Sequence, residues 1–169
     1  AIDGRTRVLG VDYRLAPEFP FPAAHDDCLT VYRSLLSAGT PASRIVLAGD
    51  SAGGGLVLGT LITARDEGTD LPAAALLFSP WVDPWWSGGS MSSNAEEDVI
   101  EEEFLRNCIQ AYVGEESSED PRVKPLDADL EGLPPMLVQV GDAEVFLDQD
   151  REFAARAARA GVDVSLKVY

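Results

Sequence analysis

A chain of 169 residues with 46% hydrophobic and 25% charged residues is long enough for one domain with a sizeable core, and its composition is not that of a disordered segment. A formal charge of -16 would repel phosphates and anionic lipid surfaces, so neither nucleic acid nor such a surface is an expected partner. No uncharged apolar stretch of about 18 residues is present to span a bilayer, no basic-then-apolar leader opens the chain, and Cys28 and Cys108 lack metal-like spacing; a reduced, cytoplasmic protein is expected.

In chain order, residues 7–13 read as a short apolar strand, and residues 17–22 as a proline-bounded loop. Pro22 opens a helix with Ala24, Cys28, Val31 and Leu35 on one stripe and Gly39 beyond its end. Residues 44–48 form the next predicted strand, followed by a glycine-rich turn and an apolar helix to Ala64; residues 73–78 are a further strand. The interval 80–103 holds Trp81, Trp85, Trp86, adjacent glycines at 88 and 89, and then an acidic run. Its length suits a lid or binding element as well as it suits an exposed excursion. Residues 135–140 repeat the strand pattern, and residues 148–160 read as a helix stopped by Gly161. The alternation over 162–169, with Val162, Val164, Leu166 and Val168 on one face, predicts an edge-like strand with one wetter side.

Strands alternating with helices at this spacing define an α/β class: a mostly parallel sheet with helices on both faces and ligands at the carboxyl ends of the strands. Residues 1–169 are read as a single, partial domain of this kind.

The motif that carries chemistry is Gly49-Asp50-Ser51-Ala52-Gly53-Gly54. It has the G-x-S-x-G form of a nucleophile elbow and lies between an apolar strand and a helix, as an elbow must. On steric grounds Gly49 and Gly53 are expected to remove side chains that would clash across the turn, while Ser51 projects its hydroxyl above the sheet. The helix N-terminus places the Ala52 N–H where an oxyanion can develop. A phosphate-cradling loop is excluded, because neither Gly-Lys-Ser/Thr nor G-x-G-x-x-G occurs at this turn. From Ser51 to Ala64 no residue is charged, which predicts a helix buried on all sides.

The runs Val11-Asp12-Tyr13-Arg14-Leu15-Ala16-Pro17-Glu18, Phe21-Pro22-Ala23-Ala24 and Gly49-Asp50-Ser51-Ala52-Gly53-Gly54 resemble the hormone-sensitive-lipase family of carboxylesterases. The resemblance continues through Ser79-Pro80-Trp81-Val82-Asp83, Asp120-Pro121 and the run from Leu133 to Gly141, and so covers nearly the whole chain in order. It implies an α/β-hydrolase fold with a small cap, hydrolysis of small-molecule carboxylic esters with short acyl chains, and no metal or organic cofactor. Oligomeric state is left open. Acyl transfer would run through a serine, a histidine that takes and returns its proton, and a carboxylate that orients the histidine.

Measured against that pattern, the chain reads as a fragment. The family's His-Gly-Gly-Gly segment is expected before Ala1 and the catalytic histidine after Tyr169. The one histidine, His25, precedes the serine and borders an apolar face with Leu29, Tyr32 and Leu36, so a structural role is expected for it. For the acid, the family's Asp-Pro-Leu-x-Asp registers on Asp148 and places the triad carboxylate at Glu144, with Asp142 as the alternative. Asp148 then falls where a helix N-cap is wanted. Asp50 is expected to brace the elbow together with Gly49, Gly53 and Gly54. The three tryptophans are candidates for pocket lining or for core packing. A non-catalytic small-molecule receptor on the same scaffold is the competing reading, and fold alone does not separate the two.

Overall fold

Four apolar five-residue runs, too short for helices and each separated by a helical segment, assemble into one parallel sheet. A computed structural model describes residues 6–87, 89–113 and 119–169; the expectation for Gly88 falls outside these residues. Strands β1 (Val46–Asp50), β2 (Ala74–Phe78), β3 (Met136–Val140) and β4 (Val164–Val168) lie side by side in that order, all parallel. Helices α1 (Ala23–Ser37), α2 (Ala52–Asp66), α3 (Ser90–Ser93), α4 (Glu102–Val113) and α5 (Leu147–Arg159) connect or flank them.

Strand alternation decides what is buried. Ala75 and Leu77 of β2 and Met136 and Val138 of β3 share one face and pack against Leu58, Leu61 and Ile62 of α2 and Phe153 and Ala157 of α5. α2 carries no charge until Arg65, and it is buried from Leu56 through Ile62, as its sequence predicts. Among the described residues the core helices cover this face; the opposite face carries Val46 and Phe78, 50% and 39% exposed. No helix among these residues is long and apolar enough to cross a membrane.

Three expectations need correction. Residues 7–13 form no strand: Val8 and Leu9 are 77% and 61% exposed, and the segment joins no ladder among the described residues. A strand exists only with a partner, and the residue that follows this segment is tied to α1 instead, where Asp27 accepts from the Arg14 main-chain N–H at 2.9 Å and from its guanidinium at 2.8 Å. The stripe of α1 is rotated, with Ala24, His25, Leu29 and Tyr32 buried and Cys28, Val31 and Leu35 only half-buried. The first strand of the sheet starts two residues late, because Ala42–Arg44 form a single 3-10 turn closed by Ile45 N–H donating to the Ala42 carbonyl at 2.9 Å. α4 is a helix that the sequence reading did not anticipate. β4, by contrast, is an edge strand with Val164 and Leu166 packed on the core, as its alternation predicts.

Candidate active site

Ser51 stands between β1 and α2 with φ 53 and ψ -119, a conformation that non-glycine residues rarely adopt. Such a backbone costs on the order of 1–3 kcal/mol and persists only where surrounding contacts over-determine it. Those contacts are present. The Ser51 N–H donates to the Phe78 carbonyl at 2.9 Å, and the Ser51 carbonyl accepts from Trp81 N–H at 2.9 Å and Gly54 N–H at 3.0 Å. Beside it, at the end of β2, Ser79 is the other non-glycine residue with positive φ among the described residues, at 43°.

Glycines make the turn passable. A Cβ on Gly49 would lie 2.7 Å from the Gly54 nitrogen and closer still to the Gly53 carbonyl. At Gly54 it would lie 2.6 Å from Pro80 Cβ, and at Gly55 2.8 Å from the Trp81 carbonyl oxygen. Gly53 corrects the steric expectation, since a Cβ there meets nothing within 4 Å. The crowding is between a Gly49 side chain and the Gly53 main chain, not between two side chains. Gly55, which the motif does not include, belongs to the turn for the same reason as Gly54. Asp50 is exposed at the end of β1, and the brace expected of its carboxylate is not formed among the described residues.

Ala52 is the first residue of α2 and exposed, so its N–H has no intrahelical acceptor and can donate to a group seated above Ser51. Ser51 and the loop after β3 leave the same edge of the sheet. With β2 between β1 and β3, they lie roughly 10 Å apart at the usual spacing of about 4.8 Å per strand.

Glu144 lies in that loop, half-buried, and its Oε1 accepts the Gly141 N–H at 2.7 Å. A Cβ on Gly141 would lie 2.8 Å from the same oxygen, so glycine is what allows the carboxylate to fold back toward the strand end. Asp142 differs. Its N–H donates to the Tyr169 carbonyl at 2.8 Å, its residue surface is exposed, and its carboxylate makes no hydrogen bond or ion pair among the described residues.

Asp148 is not the N-cap of α5, which is Phe146. Its carboxylate instead accepts the Ser90 N–H at 2.9 Å while its own N–H donates to Ser90 Oγ at 2.9 Å, joining the starts of α3 and α5. Two residues on, Asp150 is fully buried with neither carboxylate oxygen hydrogen-bonded. Burial, reinforced by the Glu144 charge, pushes its carboxyl up to about 9.

His25 has the structural place expected of it. It is 1% exposed, linked to Thr63 by a 3.1 Å hydrogen bond between Nε2 and Oγ1, with its ring against Gly59. Gly59 is eight residues along α2 from Ser51, roughly 12 Å at 1.5 Å per residue. The tryptophans divide: Trp81 stacks on Phe146 at 6.0 Å, Trp86 packs in the core, and Trp85 is 40% exposed.

A strained serine at a strand-to-helix turn on a parallel sheet defines the α/β-hydrolase class, and comparison with known proteins agrees. The chain belongs to the α/β-hydrolase fold family, whose model matches residues 1–169. It is 43% identical over 161 residues to an acetyl-hydrolase of Streptomyces hygroscopicus, covering 95% of this chain and 54% of that protein. It is 38% identical over 165 residues to an esterase of Acinetobacter venetianus, covering 96% and 54%. The crystal structure of an esterase from the bacterial hormone-sensitive lipase family superimposes with a TM-score of 0.91 at 48% identity, covering 94% of this chain and 54% of that one. The resemblance drawn from sequence motifs is therefore matched in structure, and the chain spans about half the length of these relatives.

Proposed function

We propose that the full-length protein is a serine carboxylesterase acting on small-molecule esters with short acyl chains, with Ser51 as nucleophile. The strained backbone of Ser51 beside the free Ala52 N–H is the observation that carries this reading. A serine held at positive φ at a helix N-terminus presents a nucleophile and favours the enzyme over a binding protein on the same scaffold. The names of the relatives, acetyl-hydrolase and esterase, support the substrate class.

In the proposed reaction the Ser51 hydroxyl oxygen attacks the ester carbonyl carbon as its proton passes to a histidine supplied by the remainder of the full-length protein. The carbonyl oxygen becomes an oxyanion and accepts from Ala52 N–H. The alkoxide leaves with the proton from the imidazolium, and an acyl-serine remains. Water, deprotonated by the same histidine, then releases the acid. Glu144 holds the imidazole tautomer and stabilises the imidazolium, without itself being protonated.

A fluorophosphonate probe tests the nucleophile. Labelling of the full-length protein is expected at Ser51 alone, and undiminished labelling of Ser51→Ala would end the proposal. Retained ester binding with no labelling of the wild type would instead favour the receptor reading. The 169-residue chain by itself is expected to be nearly inactive. Nitrophenyl ester turnover by the isolated chain within about a hundredfold of a typical kcat of about 10 per second would contradict that.

A further inference from the structure

The interval between β2 and α4 is bound to the loop that carries Glu144. Asn94 Nδ2 donates to the main-chain carbonyls of both Asp142, at 3.0 Å, and Glu144, at 2.9 Å. Ser93 Oγ donates to Asn94 Oδ1 at 2.9 Å, which leaves the amide nitrogen as the end facing those carbonyls. One residue further along the acid loop, the Val145 N–H donates to Asp98 Oδ2 at 2.7 Å, while Asp98 Oδ1 accepts from Ile100 N–H at 2.9 Å and closes its own turn. The Val145 carbonyl accepts from Ser90 Oγ at 2.8 Å. Apolar contacts reinforce the polar ones, since Met91 and Ile100 pack with Val145 and Phe146.

The loop's own main-chain bonds at Glu144 are longer, whereas its side chain holds the Gly141 N–H at 2.7 Å. Its N–H reaches the Gly141 carbonyl at 3.3 Å, and its carbonyl accepts from Leu147 N–H at 3.3 Å. Asn94 and Asp98 therefore grip the Glu144–Val145 peptide from its carbonyl and its N–H at shorter distances, and Asn94 also holds the Asp142 carbonyl ahead of Glu144.

We infer that Asn94 and Asp98 are positioning residues for the triad acid, fixing the main chain on either side of Glu144 so that its carboxylate presents one orientation to the catalytic imidazole. The inference rests on the reading of Glu144 as that acid. Asn94 suits the task because a carboxamide has two N–H donors to divide between two carbonyls, and Asp98 because a carboxylate has two acceptors to divide between two N–H groups. Misplacing a catalytic group by about 1 Å is enough to cost about a hundredfold in rate.

The test uses the full-length enzyme and a double-mutant cycle. Asn94→Ala and Asp98→Ala are expected to lower kcat by about tenfold to a hundredfold, leave KM within about threefold, and shift the acidic limb of the kcat/KM pH profile to lower pH, because a poorly placed carboxylate supports the imidazolium less. Combined with Glu144→Gln, the same substitutions are expected to cause no further loss of kcat. Full, multiplicative loss in the combined variants would show a general folding role and overturn the inference. So would wild-type kcat in both single variants when Glu144→Gln is itself impaired. Wild-type kcat in Glu144→Gln would remove the triad-acid reading itself. If Asn94→Ala fails to fold, Asn94→Asp, which turns an acceptor toward each carbonyl, is read in the same cycle with the same criteria.

Discussion

Gly141 and Glu144 meet across the turn after β3: the glycine N–H donates to the glutamate Oε1 at 2.7 Å, and the glycine's missing Cβ is what leaves that oxygen its place. Gly141→Ala in the full-length enzyme is therefore expected to push the carboxylate away and lower kcat by about tenfold or more, with only a modest rise in KM. Steady-state kinetics beside the melting temperature checks this. A variant with normal kcat would mean that the carboxylate position seen here is not the working one.

The two carboxylates of the loop separate by role. Glu144→Gln is expected to lower kcat by up to about four orders of magnitude, as loss of a triad acid does, with binding little changed. Asp142 is exposed, and its contacts run through its main chain, so Asp142→Asn is expected to leave kcat within about threefold of wild type. Measuring kcat and melting temperature together keeps misfolding apart from lost chemistry. The opposite pattern, with Asp142→Asn inactive and Glu144→Gln active, would make Asp142 the acid.

The glycines of the elbow are not equivalent, and alanine substitution distinguishes them. Gly49→Ala and Gly54→Ala force a Cβ onto main chain or onto Pro80 and are expected to destabilise by about 1–3 kcal/mol, more where main chain must move. Gly53 lies inside α2 with open space where its Cβ would be, so Gly53→Ala is expected to be neutral or stabilising by about 0.5–1 kcal/mol. Urea denaturation of the three variants decides it, and equal destabilisation by all three would contradict the one-sided crowding.

Much of the sheet was legible because its strands are short apolar or alternating runs and its longest helices carry no charge or a clear stop: α2 lacks charges before Arg65, and α1 and α5 end before Gly39 and Gly161, both at positive φ. The strained turn at Ser51 was legible because the Gly53 main chain leaves no room for a side chain at Gly49, although Gly53 itself is not sterically required. The misreading of residues 7–13 has a physical cause, since β-propensity describes what fits a pleated ladder and is silent on whether a neighbour exists. The contacts of Asn94, Asp98 and Ser90 with the loop after β3 and the start of α5 were not legible, because those partners lie 47 to 58 positions away and nothing in the local pattern marks long-range contact. The Asp148 misassignment follows from the same limit: its local context asks for a cap on α5, whereas its observed partner is α3.

Asp150 supplies a pH dependence whose sign is fixed by burial. Its carboxyl would titrate near the ordinary 3.8 in the unfolded chain and near about 9 in the folded one, where neither oxygen has a hydrogen-bond partner and the Glu144 charge opposes ionisation. Below pH 4 both states are protonated and the group makes no difference. Between pH 4 and 9 the unfolded chain has lost the proton and the folded chain has kept it, so unfolding releases a proton and stability falls as pH rises. The slope approaches about 1.4 kcal/mol per pH unit for a single fully shifted group and levels off above the folded value. Asp150→Asn removes the titration while keeping the shape, and the fixed cost of burying an amide in its place does not vary with pH. The stability of the variant relative to wild type is therefore expected to improve steadily from pH 5 to pH 8, whatever its value at pH 5. Urea midpoints of both proteins across that range give the answer, and parallel curves would mean that Asp150 ionises in the folded protein much as it does in the unfolded chain.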